Sequence, residues 1–300
     1  MASGHKFHLN NGHPIPALGF GTWKSAPNDA YSSVLEALKT GYRHIDCAWI
    51  YGNESEVGSA LKDSGLNREE YFLTTKLWST YHERVEENLD LSLKQLGVEY
   101  VDLYLLHWPV TLNPNGNPPT FPLLPDGTRD VIFDHPFTRT WQSMERLLAT
   151  GKVRAIGVSN FDVHNLEVLR QSSKVVPAVN QVELHPYLQQ DRLWEYCKQR
   201  GILLTAYSPL GSNDTPLKEE KIITEIAEKH NCQPAQVLLN WGIQREYAVL
   251  TKSVTPTRIH ANFQDINLDP EDMSCIKTLD KGLRTCNPPW KITVFVSSHL

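Results

Sequence analysis

No apolar run in this chain approaches the roughly 18 residues needed to cross a bilayer, and residues 1–10 contain no apolar core of a secretory signal. A membrane span is excluded, and a soluble cytoplasmic protein is expected. Cysteine is sparse: Cys47, Cys197, Cys232, Cys275 and Cys286 are an odd set of five, widely spaced and without a Cys-x-x-Cys pair. That excludes a disulfide framework and fits a reducing compartment, with the thiols acting as small apolar groups. The twelve histidines include no His-Glu-x-x-His and no cysteine–histidine cluster at zinc spacing, so no metal is expected. Positive charge is not in excess. With 29 basic against 34 acidic residues, a net charge of -5 and no basic stripe, neither nucleic acid nor an anionic membrane is an expected partner. A Gly-x-Gly-x-x-Gly turn after the first strand is also missing, which counts against a dinucleotide-binding open sheet.

What is there is a rhythm of apolar strand, polar loop, amphipathic helix and restarting glycine. The restarts are Gly41, Gly97, Gly151 and Gly201, each placed where a helix needs a left-handed C-terminal residue. Helix signals fall between them: Val85, Leu89, Leu93 and Leu96 share one face of a helix expected over residues 82–96, with Glu83, Glu86 and Glu87 in its first turn. Pro234 suits a first helical position. Counting LGFGT, HIDCA, YFLTTK, DLYLLH, RAIGVS, AVNQVE, LLTAY and AVLTK gives eight strands, nearly all apolar. Strands of that kind alternating with helices imply a parallel sheet covered on its faces, and eight units in one 300-residue domain fit a closed (β/α)8 TIM barrel. A doubly wound open sheet is the alternative. Residues 7–16 read as a β-hairpin turning at Asn11-Gly12 in a type I′ turn. Residues 109–137 form one oversized connection, expected to cover substrate, and residues 282–300 form a C-terminal tail and substrate loop.

Sites of such a barrel lie at the C-terminal strand ends, and the runs here end one after another on polar groups. Asp46, Lys76 and His107 end the second, third and fourth strands, and Tyr51 follows the second. A tyrosine hydroxyl titrates near 10, too high for easy proton exchange at neutral pH, and a nearby ammonium lowers it. Lys76 can supply that ammonium, Asp46 can keep it charged, and His107 can orient a substrate oxygen. Such a set suits protonation of a carbonyl oxygen as hydride arrives at carbon, or the reverse. Taken singly, each residue has a structural explanation, and it is the joint placement that points to chemistry.

Ordered segments along nearly the whole chain resemble the aldo-keto reductase superfamily: GFGTW from Gly19, DCAWIYGNE from Asp46, KLW from Lys76, LHWP from Leu106, GVSNF from Gly157, NQVE from Asn180, YSPLG from Tyr207 and KSV from Lys252. The resemblance implies an NADPH-dependent carbonyl reductase with Tyr51 as general acid and Asp46, Lys76 and His107 completing the tetrad. It implies that Tyr207 stacks on the nicotinamide and that Ser159, Asn160 and Gln181 bind its carboxamide. Ser208, Leu210 and Ser212 would close over the pyrophosphate, while Thr22 and Trp23 border the nicotinamide end. Lys252, Ser253 and Arg258 would hold the adenosine 2′-phosphate, a dianion suited to two cations beside a hydroxyl, and Asn262 would lie at the adenine end. NADP(H) is therefore favoured over NAD.

The substrate pocket is expected to be aromatic, lined by Trp23, Trp78, Trp108 and Trp290, with core packing expected of Trp141 and Trp241. The tail TCNPPW and the long loop resemble fungal-type aldose and aldehyde reductases and glycerol dehydrogenases. In that branch an asparagine, here Asn287, meets a substrate hydroxyl, so the expected partner is a small carbonyl or polyol. The protein is expected to act as a monomer or weak dimer. Two positions depart from the family pattern, Thr251 where many relatives have proline and Ala261 where many have glutamate. The lost carboxylate predicts weaker or faster-releasing cofactor. Ser298-His299-Leu300 resembles a peroxisomal address and offers a minority alternative to the cytoplasm. Two further alternatives are a Schiff-base lyase working through Lys76 and a regulatory subunit that binds NADP without catalysis. The few residues before the hairpin and the intact tetrad favour the reductase.

Overall fold

The structure is a computed structural model that describes residues 4–212, 215–288, 290 and 293–295. The hairpin strands β1 (Lys6–His8) and β2 (Pro14–Pro16) precede β3 (Leu18–Gly21), α1 (Asp29–Thr40), β4 (His44–Asp46), α2 (Glu54–Asp63), β5 (Phe72–Leu77), α3 (Val85–Leu96) and β6 (Val101–Leu106). Then follow α4 (Phe137–Leu147), β7 (Val153–Ser159), α5 (Val163–Ser172), β8 (Val179–Glu183), α6 (Asp191–Gln199) and β9 (Leu203–Tyr207). The chain goes on through α7 (Lys221–Lys229), α8 (Pro234–Gln244), β10 (Ala248–Thr251), α9 (Pro256–Asn262) and α10 (Pro270–Lys277). Strands β3 to β10 pair in parallel and close into one eight-stranded barrel, which discards the open sheet.

Parallel closure forces the helices outside, and their apolar faces bury against the strands, with Trp141 and Trp241 among the fully buried side chains. A smaller apolar cluster fills the other end of the barrel. Leu9 and Ile15 of the hairpin pack there against Phe72, Leu103, Leu105, Ala155, Ala178 and Val179. The hairpin thus plugs the N-terminal end, and polar chemistry is left to the C-terminal rim. The four restart glycines all take positive φ, as a left-handed helix terminus requires. Among the described residues no helix is long and apolar enough to cross a membrane.

Two local expectations change. The hairpin does not turn in type I′ geometry, because Gly12 alone of the Asn11-Gly12 pair has positive φ, and the Leu9 carbonyl accepts from Gly12 N at 2.8 Å while Leu9 N donates to the His13 carbonyl. Helix α3 begins at Val85 rather than residue 82, so Glu83 lies outside it. His82 is instead buried, its Nδ1 2.9 Å from Thr111 Oγ1, and Arg84 takes non-helical dihedrals. That contact with the long loop holds the segment out of the helix.

Candidate active site

Pairing in register brings the polar strand ends to one rim. Asp46 pairs with Gly21 and Thr74 on its neighbours, Lys76 with Leu105, and Ser159 with Gln181. Lys76 Nζ donates to Asp46 Oδ1 at 2.6 Å and to the Cys47 carbonyl at 2.8 Å, in a pair whose side chains are 0% and 5% exposed. The ammonium sits 5.1 Å from the centroid of the Tyr51 ring, on the 3-10 turn Trp49–Tyr51 that follows β4. His107, immediately after β6, meets Tyr51 edge to face at 5.8 Å and Trp78 at 5.4 Å. Asp46, Tyr51, Lys76 and His107 therefore converge at one rim, as their places at the strand ends implied.

Electrostatics assign their states. Burial pushes the Tyr51 phenol up to about 12, and the charge of Lys76 with its hydrogen bond pulls it down only in part. The expectation of a net lowered phenol is corrected: the ammonium acts in the expected direction, but desolvation of a phenolate outweighs it. Tyr51 is protonated at neutral pH. Burial works against the Lys76 ammonium, yet Asp46 and Tyr51 more than offset it and raise its pKa. A lysine held charged in this way is no amine nucleophile, which removes the basis for a Schiff-base role. Burial and then Lys76 drive His107 well below the ordinary imidazole range, so it is neutral.

Around this core the predicted cofactor residues are already bonded to the protein and to one another. Thr22 Oγ1 donates to the Asp46 carbonyl at 3.2 Å, and Ser159 Oγ to the Gln181 carbonyl at 2.8 Å. Asn160, at a φ of 64°, donates from Nδ2 to the His107 carbonyl at 3.0 Å, and its Oδ1 accepts from Tyr207 OH at 2.8 Å. Gln181 Nε2 reaches Asp46 Oδ2 at 2.7 Å, a contact not foreseen from the sequence. Ser208 has positive φ, and a Cβ on Gly211 would lie 2.2 Å from Thr215 Oγ1, so the turn carrying Ser208, Leu210 and Ser212 is tight enough to need glycine. Lys252 and Arg258 are exposed beside Ser253 and make no ion pair with a carboxylate among the described residues. Lys252 Nζ donates to the Lys24 carbonyl at 3.3 Å, and cations with no carboxylate partner beside a hydroxyl fit a 2′-phosphate. Asn262 is buried, and its Nδ2 donates to Thr251 Oγ1 at 3.0 Å, so the threonine that replaces a common proline gives this amide a partner.

Trp78, Trp108 and Trp290 form one buried cluster with Val110, Leu112 and Val294, and Trp108 meets Trp290 at 4.9 Å. Trp23 is 46% exposed under Lys24, and Asn287 is exposed on the tail. The long loop lies against this cluster: Trp78 Nε1 donates to the Thr120 carbonyl at 2.7 Å, and Phe121 packs on Trp78 at 5.0 Å. Residues 296–300, including Ser298-His299-Leu300, are outside the described residues.

The sequence reading missed several neighbours. Trp49 and Tyr81 pack at 4.9 Å and flank the tryptophans, a role that Trp49's place two residues before Tyr51 could have suggested. Glu54 is fully buried and accepts from Thr75 Oγ1 at 2.5 Å. Glu183, also fully buried, accepts from His185 Nε2 at 3.0 Å and from the backbone N–H groups of Thr285 and Cys286, which tie the tail to the end of β8. Burial opposes its charge, but these bonds hold its carboxyl below the usual range.

Comparison with known proteins agrees with this geometry. The sequence profile of the Aldo/keto reductase family matches residues 17–281. The chain is 51% identical over 292 residues to glycerol 2-dehydrogenase (NADP(+)) of Saccharomyces cerevisiae, covering 94% of each, and 52% identical to aldehyde reductase YPR1 of the same yeast, covering 91% of this chain and 90% of the relative. It is 49% identical to D-galacturonate reductase of Hypocrea jecorina, covering 92% and 91%. Among solved structures, the aldose reductase from Schistosoma japonicum superposes with a TM-score of 0.89 at 39% identity, covering 94% of each chain. Eight parallel strands, a buried Asp–Lys pair beside a protonated tyrosine and these matches together mean that the chain belongs to the aldo/keto reductase family, as an NADP-dependent oxidoreductase.

Proposed function

We propose that this protein reduces aldehydes with NADPH, taking short hydroxyaldehydes and aldoses such as glyceraldehyde and pentoses as well as aromatic aldehydes, and that it runs backwards as a dehydrogenase of glycerol-like polyols. The observation that carries the reading is the state of the rim: a protonated phenol, a buried ammonium–carboxylate pair and a neutral imidazole around one point. When bound, NADPH supplies hydride to the carbonyl carbon. Tyr51 donates its proton to the carbonyl oxygen, and Lys76, held charged by Asp46, stabilises the phenolate left behind. His107, with one N–H, orients that oxygen.

Ser159, Asn160, Gln181 and Tyr207 would hold the nicotinamide beside Thr22 and Trp23. Ser208, Leu210 and Ser212 would hold the pyrophosphate, and Lys252, Ser253, Arg258 and Asn262 the adenosine end. The residues present fit the cofactor, since Lys252 and Arg258, exposed beside Ser253 and without a carboxylate partner among the described residues, suit a phosphate dianion. On the substrate side we assign Trp23, Trp78, Trp108, Trp290 and Asn287, with residues 109–137 as the cover. The names of the yeast and Hypocrea relatives support an aldehyde, polyol or sugar-acid substrate. A cytoplasmic monomer or weak dimer completes the proposal.

The test is a panel of glyceraldehyde, pentoses, uronic acids and aromatic aldehydes with NADPH and NADH. Turnover of hydroxyaldehydes with NADPH preferred is the expected result, and failure of every aldehyde to oxidise NADPH would refute it. Ala261→Glu should slow NADPH release in stopped-flow fluorescence by restoring a carboxylate near the adenine end. Equal release rates would remove that position from cofactor control.

A further inference from the structure

We propose that Gln181 is a positioning residue that links the bound cofactor to the proton donor: its amide nitrogen holds the second oxygen of Asp46 and leaves its amide oxygen to accept from the cofactor's carboxamide. This deepens the cofactor reading above and rests on it. A carboxylate only accepts hydrogen bonds, so the amide group 2.7 Å from Asp46 Oδ2 must be the NH2 end. That fixes the orientation of the amide and turns the oxygen away.

The bond spans the barrel mouth. Strand β4 carries Asp46 and β8 carries Gln181, and in the closed strand order the two stand diametrically opposite. Asp46 is thereby engaged on both sides, by Lys76 Nζ on Oδ1 at 2.6 Å and by Gln181 on Oδ2. The Gln181 backbone is not free to adjust, because its carbonyl accepts from Ser159 Oγ at 2.8 Å and from Asn160 N at 3.0 Å. A continuous chain therefore runs from Gln181 through Asp46 and Lys76 to Tyr51. Loss of the donor would leave a buried carboxylate oxygen short of a hydrogen bond and free the carboxylate to rotate away from Lys76.

Gln181→Glu separates this role from simple cofactor binding. Protonated, the glutamic acid matches glutamine, with an O–H for Asp46 and a carbonyl for the carboxamide. Ionised, it faces Asp46 with like charge, and that neighbour together with burial raises the pH at which it ionises. The ionisable groups facing Asp46 are His44, Cys47, Tyr51 and Lys76, with His107 behind Tyr51. His44 titrates at about 4, Tyr51 at about 12, Cys47 and Lys76 are raised and His107 lies well below the ordinary imidazole range. Whatever Glu54 contributes is present in the wild type and divides out.

At saturating NADPH, kcat of Gln181→Glu relative to wild type should be highest near about pH 5.5 and fall about 10- to 100-fold by about pH 8.5. Gln181→Met, similar in size but without the polar atoms, should lose a comparable factor at every pH. Both variants are checked for folding by far-ultraviolet circular dichroism, and the Met variant decides alone if the Glu variant does not fold. A pH-independent ratio for Gln181→Glu overturns the proposal, as does Gln181→Met with unchanged kcat and only a raised KM for NADPH. A wild type that oxidises no NADPH with any aldehyde would strike the reductase reading instead.

Discussion

Tyr51→Phe should bind NADPH almost as tightly as the wild type and lose turnover by at least the roughly 100- to 10,000-fold typical of one acid–base group. The ring remains to pack against His107, so the change removes the hydroxyl and little else. Because burial holds the phenol at about 12, Tyr51 is protonated through the neutral range, and aldehyde reduction should owe no pH dependence there to this group. Polyol oxidation requires the phenolate. Its fraction rises about tenfold per pH unit below the pKa, so the oxidation rate should climb with pH towards about 12 and then level. The Phe variant should lose that slope with the activity. Rate–pH profiles in both directions, with NADPH affinity from fluorescence quenching, check all three points. Near-normal aldehyde reduction by the variant would reject Tyr51 as the acid.

The barrel was legible because strand chemistry and helix punctuation agree. Most of the eight apolar runs carry a polar residue at or beside the C-terminal end, and glycines sit at the helix ends where positive φ is needed. The convergence of Asp46, Tyr51, Lys76 and His107 was legible for the same reason, since parallel closure sends every strand end to one rim. What the sequence did not carry depends on contacts between distant segments. The net pKa of Tyr51 follows from desolvation by neighbours that only the fold assembles, so Lys76 alone accounts for the lowering force and not for the outweighing burial. Glu183 and the tail backbone at Thr285 are 102 residues apart, and Gln181 and Asp46 are 135 apart, so neither pairing leaves a local signal. The start of α3 moved because a buried histidine answers to a threonine in the long loop. The hairpin misread is smaller: Asn11 tolerates positive φ without adopting it.

Lys76→Met should cost both turnover and stability, and a second substitution should separate the two. The ammonium and Asp46 are both buried, with two of the three ammonium protons spent on Asp46 and the Cys47 carbonyl. Removing one partner leaves a buried carboxylate without its counter-charge, at a cost of about 3–5 kcal/mol in unfolding free energy. Turnover should fall about 100- to 1000-fold, because nothing then stabilises the phenolate that forms as Tyr51 gives up its proton. Adding Asp46→Asn removes the stranded charge. In the double variant the denaturant midpoint should recover most of the loss, since replacing a buried pair with neutral groups of similar size is close to neutral for stability. Turnover should not recover, because the ammonium beside Tyr51 is still missing. Urea unfolding and kcat on the single and double variants give the comparison. If activity returned together with stability, Lys76 would be a structural partner of Asp46 and the phenolate would draw its stabilisation from His107 or the cofactor.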